Sequence, residues 1–507
     1  MSSTKRKMRV VETEAQPAND PRLEGEFPVV IIGGGFGGIG MGIELKKAGI
    51  HSFVIIERAG EVGGTWRDNT YPGCACDVAS DVYSFSFEPN PNWSRAYSPA
   101  AEIQQYILHC TEKYGIRPHL KLNTSVNAAS FDESTGLWSV QTSAGETLRA
   151  RAVVSAVGGL VEPSYPKIKG LDKFEGPTLH TARWDHKVKL AGKRVAVIGT
   201  GASAIQVIPA IAPEVKKLKV FQRSAAWVLP KPDRTISPAQ KALYRLLPGT
   251  QKLSRLGLYW LAEATAPMVI LDTPLSRLPE AYGRRHIAMH IKDPGLRRKL
   301  TPDYRIGCKR ILLSSDYYPA MARDNVELIT DGIKEITANG VRTADGKLHE
   351  VDVIILATGF KLDIGRAPFP ITGVAGRTLD EAWKDGATAY KGISVSGIPN
   401  WFTVLGPNTG PGHTSVLIYS EAQFQHAIEA IAHMRKRKLK YVTVKQHIQD
   451  QYNRSLQRRM KATTWKSGCT SWYIDENGIN RTLYPGYVSE YVLRARHFVP
   501  SDYEQVR

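Results

Sequence analysis

The stretch "FPVVIIGGGFGGIGMGIELKKAGIHSFVIIER", residues 27–58, decides the fold of this chain. It begins with a β-branched run, passes through Gly33, Gly35 and Gly38 at the spacing G-x-G-x-x-G, continues as a helix, and returns to a strand. The glycines allow a tight turn and let backbone N–H groups approach a pyrophosphate at the helix N-terminus. Glu57 lies where a carboxylate accepts ribose hydroxyls. This βαβ unit therefore predicts a dinucleotide site.

A second unit of the same kind occupies residues 192–224, "GKRVAVIGTGASAIQVIPAIAPEVKKLKVFQRS". A strand leads into Gly199, Gly201 and Ala204 at the same spacing, and a helix and another strand follow. The chain is therefore predicted to bind two nucleotides.

The two units differ at the tip of their second strand. Counted from the first glycine of each loop, Arg223 stands where the first unit has Glu57. A carboxylate repels a 2′-phosphate and a guanidinium pairs with one, so the first site suits FAD and the second NADPH. The alternative for Arg223 is a solvated surface charge. The glycine-rich loop 60–73 follows the first unit, and its Thr65 and Trp66 are expected to lie against the FAD ring system.

Composition and charge exclude several classes of protein. With 507 residues, 42% hydrophobic and 23% charged, the chain is too long for one core and is expected to form several globular domains. The formal net charge is +19, but Lys and Arg are spread along the chain. The basic run 433–440 is interpreted as the C-terminus of a helix, the alternative being a nucleic-acid patch. We expect no nucleic-acid partner, and no oligomeric state is predicted.

No segment is predicted to direct the chain to a membrane or out of the cell. The basic N-terminus has no apolar run behind it, so a cytoplasmic protein is expected. The apolar run 256–271 is interrupted by Glu263 and Pro267 and predicts a buried or amphipathic helix, not a transmembrane segment. The cysteines are scattered, and the C-x-C of Cys74 and Cys76 lacks a second ligand pair, so no metal site is predicted.

Buried strands that break into glycine turns, at 151–159 and 351–360, are typical of places where a chain passes from one nucleotide domain to another. An α/β fold is therefore expected, with two Rossmann-like dinucleotide-binding domains and a helical insertion in the NADPH domain. The insertion either borders the substrate cavity or is a scaffold without contact to substrate. The predicted boundaries are a flexible tail at 1–25, an FAD-binding domain at 26–160 and 360–507, an NADPH-binding domain at 161–229 and 301–359, and the helical insertion at 230–300.

The absence of a redox-active cysteine pair indicates which molecule accepts the electrons from the flavin. Disulfide reductases that pair FAD with NADPH need two thiols over the flavin, and no such cysteine pair follows Gly63-Gly64-Thr65. Without thiols or a second redox centre, the predicted acceptor is a small molecule, above all dioxygen.

The segment "FEGPTLHTARWD" supplies a more specific indication. Phe174, Gly176, His180, Trp184 and Asp185 fit the pattern F-x-G-x-x-x-H-x-x-x-W-P/D, and both glycine loops flank it. With "GGTW", "YPG", "ATGF" and "GPN" in the same order, the chain resembles the type I Baeyer–Villiger monooxygenases over most of its length. Related flavin monooxygenases, which oxidise sulfur and nitrogen, usually have Tyr or Phe in place of Trp184.

This resemblance implies an NADPH- and FAD-dependent enzyme that inserts one atom of O2 beside a ketone carbonyl and yields an ester or lactone. It implies that Arg310 stabilises a flavin peroxide and that Asp77 orients Arg310 and contacts the cofactor. It places Lys309 with Arg223 at the 2′-phosphate. Oxygenation of sulfur or nitrogen is the alternative, and a redox-sensing protein without turnover is disfavoured by the intact Asp77 and Arg310.

The remaining assignments also come from the resemblance. His180 is interpreted as part of a linker that, with Trp184, couples domain movement to cofactor position, rather than as a general base. Trp472 is expected to contact NADP⁺ from a loop, the alternative being a core tryptophan.

Overall fold

The computed structural model describes residues 20–361, 367–466, 468, 471–475 and 477–507. The first nineteen residues of the predicted tail lie outside this part of the chain. Within it, Pro21–Leu23 form a short 3-10 turn, and Arg22 Nη1 donates to the carbonyl oxygen of Leu120 at 2.7 Å.

The first parallel sheet forms around the stretch that opens the sequence. In sheet order its strands are β19 (Trp401–Thr403), β7 (Ala152–Ser155), β1 (Val29–Ile32), β2 (Phe53–Ile56) and β3 (Leu120–Lys121). Every residue of β1, β2 and β7 is buried, as expected for strands covered on both faces.

Helices cover one face of this sheet and a smaller sheet covers the other. The helices are α1 (Phe36–Lys47), α3 (Ala100–Lys113), α11 (Val416–Arg437) and α13 (Val488–Ala495). The smaller sheet consists of β18 (Ile371–Thr372), β4 (Val126–Asp132), β5 (Leu137–Thr142) and β6 (Thr147–Ala150). Strand β1 alternates between the two cores, with Val29 and Ile31 toward the helices and Val30 and Ile32 toward the smaller sheet.

The second parallel sheet has the same design. In sheet order it runs β13 (Val326–Ile329), β10 (Lys217–Phe221), β9 (Arg194–Ile198), β17 (Val353–Leu356) and β8 (Thr178–His180). One face packs on α4 (Ala204–Ile211) and α9 (Tyr317–Met321). The other packs on an antiparallel sheet of β14 (Ile333–Thr337), β15 (Gly340–Thr343) and β16 (Leu348–Glu350).

Strand order puts each glycine loop at a topological switch point. Strand β1 pairs with β2 on one side and with β7 on the other, and β9 pairs in the same way with β10 and β17. A crevice opens outside the carboxyl ends of parallel strands where the winding direction reverses, and ligands of open α/β sheets bind there. The fold is therefore α/β with two Rossmann-like nucleotide domains, as predicted.

The helical insertion lies within the second domain's sequence. It comprises α5 (Pro238–Leu246), α6 (Pro248–Val269), α7 (Arg277–His290) and α8 (Pro294–Leu300). Helix α6 continues through Glu263 and Pro267, the two residues that interrupt its apolar run in the sequence. Among the described residues, no helix is long and apolar enough to cross a membrane.

The remaining elements connect these layers. They are α2 (Thr65–Asp68), α10 (Leu379–Ala382), α12 (Gln446–Met460), the strand pair β11 (Val228–Leu229) and β12 (Leu312–Leu313), and the pair β20 (Tyr441–Val444) and β21 (Tyr503–Val506). The predicted basic helix end is confirmed, because Arg435, Lys436 and Arg437 form the last turn of α11.

Candidate active site

The first glycine loop is held by contacts that only glycine permits. Gly33 has φ +107°, and a Cβ on Gly38 would lie 1.8 Å from the Gly33 carbonyl oxygen. The loop therefore brings the start of α1 directly onto the end of β1, with Gly35 as N-cap.

Glu57 sits beside this loop at the end of β2 and is buried. Its Oε2 accepts the Gly34 N–H at 2.8 Å, and its Oε1 accepts the Ala59 N–H at 3.0 Å. Arg67 Nη1 also donates to Oε1 at 3.0 Å. The sequence pointed to Glu57 but not to Arg67, because an ion pair between a strand end and a loop leaves no spacing signal.

The second glycine loop carries a pair of cations at its edge. Gly199 has φ +115°, and a Cβ there would lie 2.4 Å from the Ala357 carbonyl oxygen. Lys309 Nζ donates to Ser224 Oγ at 3.2 Å. Ser224 directly follows Arg223, so this contact brings Lys309 near Arg223. Burial lowers the pKa of Lys309, and the positive charge of Arg223 lowers it further. A site with two adjacent cations suits a multiply charged anion.

Gly201 and Ala204 complete this loop as the sequence predicts for a nucleotide turn. The Gly201 carbonyl oxygen accepts the Ile205 N–H at 3.1 Å, and Ala204 is the first residue of α4. Ala204 is fully buried against the second sheet, where a larger side chain would push the helix away.

Asp77 and Arg310 form a forked ion pair although 233 positions separate them in sequence. Arg310 Nε donates to Asp77 Oδ2 at 2.9 Å, and Nη2 donates to Oδ1 at 2.7 Å. The negative charge of Asp77 raises the pKa of Arg310 above its ordinary value. The Arg310 side chain is nevertheless 39% exposed, and Asp77 engages its Nε and Nη2, so Nη1 is left for a ligand.

Two aromatic residues, Tyr473 and its neighbour Trp472, lie beside the pair. Tyr473 is buried, and burial raises its pKa to about 12, while the charge of Arg310 acts in the opposite direction. The Trp472 ring lies 4.5 Å from that of Tyr473 and is 50% exposed, so it is not a core tryptophan. Tyr473 was missed from the sequence, because only the fold brings it to Arg310.

The fingerprint segment packs along the second sheet. Strand β8 contains His180 and pairs with β17, so this part of the expected linker is an edge strand. A Cβ on Gly176 would lie 2.5 Å from the Asp352 carbonyl oxygen and 2.7 Å from the Phe174 ring, which explains the glycine. Trp184 is partly buried against the sheet core, and Asp185 is exposed with Oδ1 accepting the Lys187 N–H at 2.9 Å.

His180 is held by hydrogen bonds inside the fold. Its Nδ1 accepts the Ala182 N–H at 3.1 Å, and its Nε2 lies 3.3 Å from Thr358 Oγ1. Burial lowers its pKa, which keeps the ring neutral. These contacts join the fingerprint to the "ATGF" turn and leave neither ring nitrogen free to exchange protons with a substrate.

Comparison with known proteins decides the family. A Baeyer–Villiger monooxygenase of Streptomyces coelicolor is 45% identical over 487 residues, which cover 94% of this chain and 92% of that protein. A Baeyer–Villiger monooxygenase of Pseudomonas aeruginosa is 46% identical over 500 residues, covering 98% and 94%. The chain belongs to the Baeyer–Villiger monooxygenases.

Solved structures and a family model agree with this membership. Cyclohexanone monooxygenase from Rhodococcus sp. Phi1 bound to NADP⁺ superposes with a TM-score of 0.83 at 30% identity, over 95% of this chain and 99% of that one. An oxidised steroid monooxygenase bound to NADP superposes with a TM-score of 0.85 at 30% identity, over 95% and 99%. The model for pyridine nucleotide-disulphide oxidoreductases matches residues 30–254.

As a Baeyer–Villiger monooxygenase, the protein uses NADPH and FAD to convert ketones to esters or lactones. The disulphide family model reflects the shared nucleotide fold. Cys74 and Cys76 are free thiols, and burial raises the pKa of both, that of Cys74 to about 11, which disfavours the thiolates that disulfide exchange requires. Among the described residues, no group of three or more His, Cys, Asp or Glu side chains that could hold a metal ion occurs.

The first switch point has the polar groups that FAD requires. Within the described part of the chain, three buried polar atoms near it have no hydrogen-bond partner: Gln104 Oε1, Ser155 Oγ and Thr414 Oγ1. Ser155 ends β7 beside β1, Gln104 lies against Gly63, and Thr414 precedes α11. Buried polar atoms usually find partners, so these three atoms are the candidates at this edge for hydrogen bonds to a polar ligand.

The loop after the first unit closes against the glycines. The Gly63 N–H donates to the Gly34 carbonyl oxygen at 2.9 Å, and Thr65 begins the short helix α2. Trp66 Nε1 donates to the Tyr83 hydroxyl at 3.1 Å, and the two rings meet edge to face. This fixes Trp66 in one orientation beside the first glycine loop.

Gln206 fastens the Asp77 segment to the second nucleotide domain. This side chain on α4 accepts the Tyr71 hydroxyl at 2.8 Å and donates through Nε2 to the Ala75 carbonyl oxygen at 2.9 Å. Gly73, with φ +80°, lets the segment approach α4, because a Cβ there would lie 2.6 Å from the Gln206 carbonyl oxygen. Asp77 follows this segment in the sequence of the first domain, and these contacts therefore hold it next to the second domain.

Arg310 is placed by a similar close approach. Gly307 has φ +87°, and a Cβ on it would lie 2.0 Å from the Val269 carbonyl oxygen at the end of α6. Trp465 Nε1 donates to the Gly307 carbonyl oxygen at 3.0 Å. The turn before Arg310 therefore rests on the insertion helix and on the segment after α12.

The insertion helix also holds the loop that precedes α11. Glu263 on α6 is buried, and its carboxylate accepts His413 Nε2 at 2.9 Å, the Val488 N–H at 3.0 Å and the Ser489 hydroxyl at 2.7 Å. These partners stabilise the anion and hold the pKa of Glu263 below its ordinary value, although burial acts in the opposite direction. The insertion is thus joined to the flavin side of the site.

Removing the Glu263 carboxylate tests this connection. Glu263→Ala leaves His413, the N–H groups of Val488 and Ser489 and the Ser489 hydroxyl without their acceptor, so the free energy of unfolding should fall by about 3–5 kcal/mol. Glu263→Gln keeps an acceptor oxygen, so its free energy of unfolding should fall by less. Urea unfolding followed by tryptophan fluorescence measures both, with the exposed Glu24→Ala as matched control. A loss for Glu263→Ala no larger than that of the control would contradict the assignment.

Proposed function

We propose that Arg310 is the catalytic cation of ketone oxygenation and that Asp77 positions it. The forked ion pair supports this role, since it fixes the guanidinium plane and leaves part of the group exposed. Asp77 also keeps Arg310 charged at any working pH. A fixed positive charge stabilises the negative oxygen that attacks the carbonyl and the oxyanion that forms on the ketone.

The other residues of the site would bind the two cofactors and orient them. Gly33, Gly35 and Gly38 would present backbone N–H groups to the FAD pyrophosphate, and Glu57 would accept its ribose hydroxyls. When bound there, FAD would supply the redox chemistry that passes electrons from NADPH to O2. Thr65 and Trp66 would border its ring, where the contact with Tyr83 keeps the Trp66 orientation fixed.

The second loop would hold NADPH. Gly199, Gly201 and Ala204 would face the pyrophosphate, and Arg223 and Lys309 would pair with the 2′-phosphate. The hydrogen bond from Lys309 to Ser224, the neighbour of Arg223, supports this, because two cations at one edge repel each other and an anion between them relieves the repulsion. Trp472 would pack on the nicotinamide end, and its exposed position beside Tyr473 supports this.

The substrate we propose is a small-molecule ketone. Among the solved relatives, one cyclohexanone monooxygenase structure is cyclohexanone-bound and another is ε-caprolactone-bound. The fingerprint residues Phe174, Gly176, His180, Trp184 and Asp185 would act through the sheet edge, not on the substrate. His180 supports this division, since its ring is neutral and both its nitrogens are occupied.

Replacing Arg310 separates reduction from oxygen transfer. Arg310→Ala should still oxidise NADPH, because hydride transfer does not need this charge, but lactone formation from cyclohexanone should fall about 10²–10³-fold. Hydrogen peroxide should rise in proportion. Arg310→Lys keeps the charge without the fork and should be intermediate. NADPH consumption, peroxide and lactone are measured on protein with verified FAD content.

Two outcomes would overturn this assignment. Lactone formation at the normal rate by Arg310→Ala would remove its catalytic role. If the unaltered enzyme, offered cyclohexanone and a thioether in parallel, made only the sulfoxide, the protein would be an oxygenase of sulfur.

Replacing Arg223 tests the 2′-phosphate site. Arg223→Glu puts a carboxylate where we place the phosphate, so KM for NADPH should rise about 10–100-fold while KM for NADH changes little. Steady-state kinetics with both nucleotides measures the ratio. Arg298→Glu, at another exposed position, serves as the control for a general change in charge. An equal rise for both nucleotides with Arg223→Glu would show that the residue does not read the phosphate.

A further inference from the structure

The outward face of α6 is apolar. Leu253, Leu256, Trp260 and Leu261 are 69%, 51%, 55% and 65% exposed. Their spacing puts them on one side of the helix. All of α6 is among the described residues, and Lys252 is its only exposed charged side chain. The helix predicted to be buried or amphipathic is therefore amphipathic, with its apolar side turned to solvent.

The inward face of α6 explains this orientation. Gln251 Nε2 donates to Asp81 Oδ1 at 2.9 Å, Ser254 Oγ donates to Asp81 Oδ2 at 2.8 Å, and Glu263 binds His413. These buried polar contacts would be lost if the helix rotated to hide its leucines. The polar contacts therefore keep the apolar side of α6 exposed, although the hydrophobic effect favours its burial.

The neighbouring helices also carry exposed apolar side chains. Helices α5 and α7 both contact α6. Their exposed large apolar side chains, between 43% and 79% accessible, are Leu243, Leu246, Leu278, Tyr282 and Met289, with Leu247 and Leu275 in the connections. Soluble monomers rarely keep apolar patches of this extent unless something docks on them. We name this surface, formed by the exposed apolar residues of 243–289, the insertion face.

The positive charge around the insertion face indicates what kind of partner docks on it. Residues 231–300 contain thirteen Lys and Arg but five Asp and Glu, and one of those acids, Glu263, is buried. Exposed Lys252, Arg277 and Arg285 belong to the same helices. Leucines and a tryptophan flanked by cations are typical of helices that lie in the interface of an anionic bilayer. A second copy of the chain would instead bring the same cations face to face.

We propose that the insertion face docks the enzyme on an anionic lipid surface, with α6 lying in the interface plane. Leu253, Leu256 and Trp260 enter the boundary between headgroups and acyl chains, and the flanking cations contact lipid phosphates. Apolar ketones concentrate in such a membrane, so docking would bring the enzyme to them. The proposal rests on the surface alone and stands whether or not Arg310 has the role assigned above.

Vesicle sedimentation of the FAD-loaded enzyme tests the proposal. The unaltered protein should bind vesicles of phosphatidylcholine mixed with phosphatidylglycerol and bind phosphatidylcholine alone much more weakly. The triple variant Leu253→Ser, Leu256→Ser, Trp260→Ser should bind the mixed vesicles at least about a hundredfold more weakly, because three apolar side chains that the bilayer would bury are lost. Leu493→Ser, at a 70% exposed leucine on α13, should bind like the unaltered protein.

Three results would overturn it. They are no binding of the unaltered protein to the mixed vesicles, equal binding by the triple variant, or light scattering that shows a dimer which the triple variant dissociates. The last would assign the insertion face to a second copy of the chain. NADPH oxidation by the triple variant in solution, expected at the unaltered rate, verifies that these surface changes leave the fold intact.

Discussion

The ion pair between Asp77 and Arg310 is the constraint around which the site is built. One partner comes from the loop after the first βαβ unit and the other follows the helical insertion of the second domain. Neither side chain alone would keep a guanidinium plane fixed while leaving it open to a reactant. The pair therefore requires that two nucleotide domains and an insertion meet with a definite geometry.

Close backbone approaches supply that geometry. Gly73 lets the Asp77 segment reach α4, where Gln206 holds it by two hydrogen bonds. Gly307 lets the Arg310 turn reach the end of α6. The same helix binds the loop before α11 through Glu263. In sequence, the insertion separates the two halves of the second domain. In space, it connects that domain to the first one, which is expected to bind FAD.

The sequence predicts local motifs well and long-range contacts poorly. Both glycine loops were predicted because the turn, the helix start and the strand end lie within about thirty residues, where spacing carries the chemistry. Arg310 and Asp77 were found only through the family resemblance, since no spacing rule joins positions so far apart. Gln206, Glu263 and Tyr473 were missed for the same reason. The outward apolar face of α6 was also missed, because periodicity reveals a stripe but not the direction in which it points.

A double-mutant cycle on lactone formation tests the central claim, that Asp77 and Arg310 act as one unit. The rates of the unaltered enzyme, Asp77→Ala, Arg310→Lys and the double variant are compared at saturating NADPH with FAD content matched. If the pair is one unit, the double variant should be no slower than the slower single variant, because Arg310→Lys already loses the fork through which Asp77 acts. Losses that multiply in the double variant would show that the two residues act independently and would contradict the account.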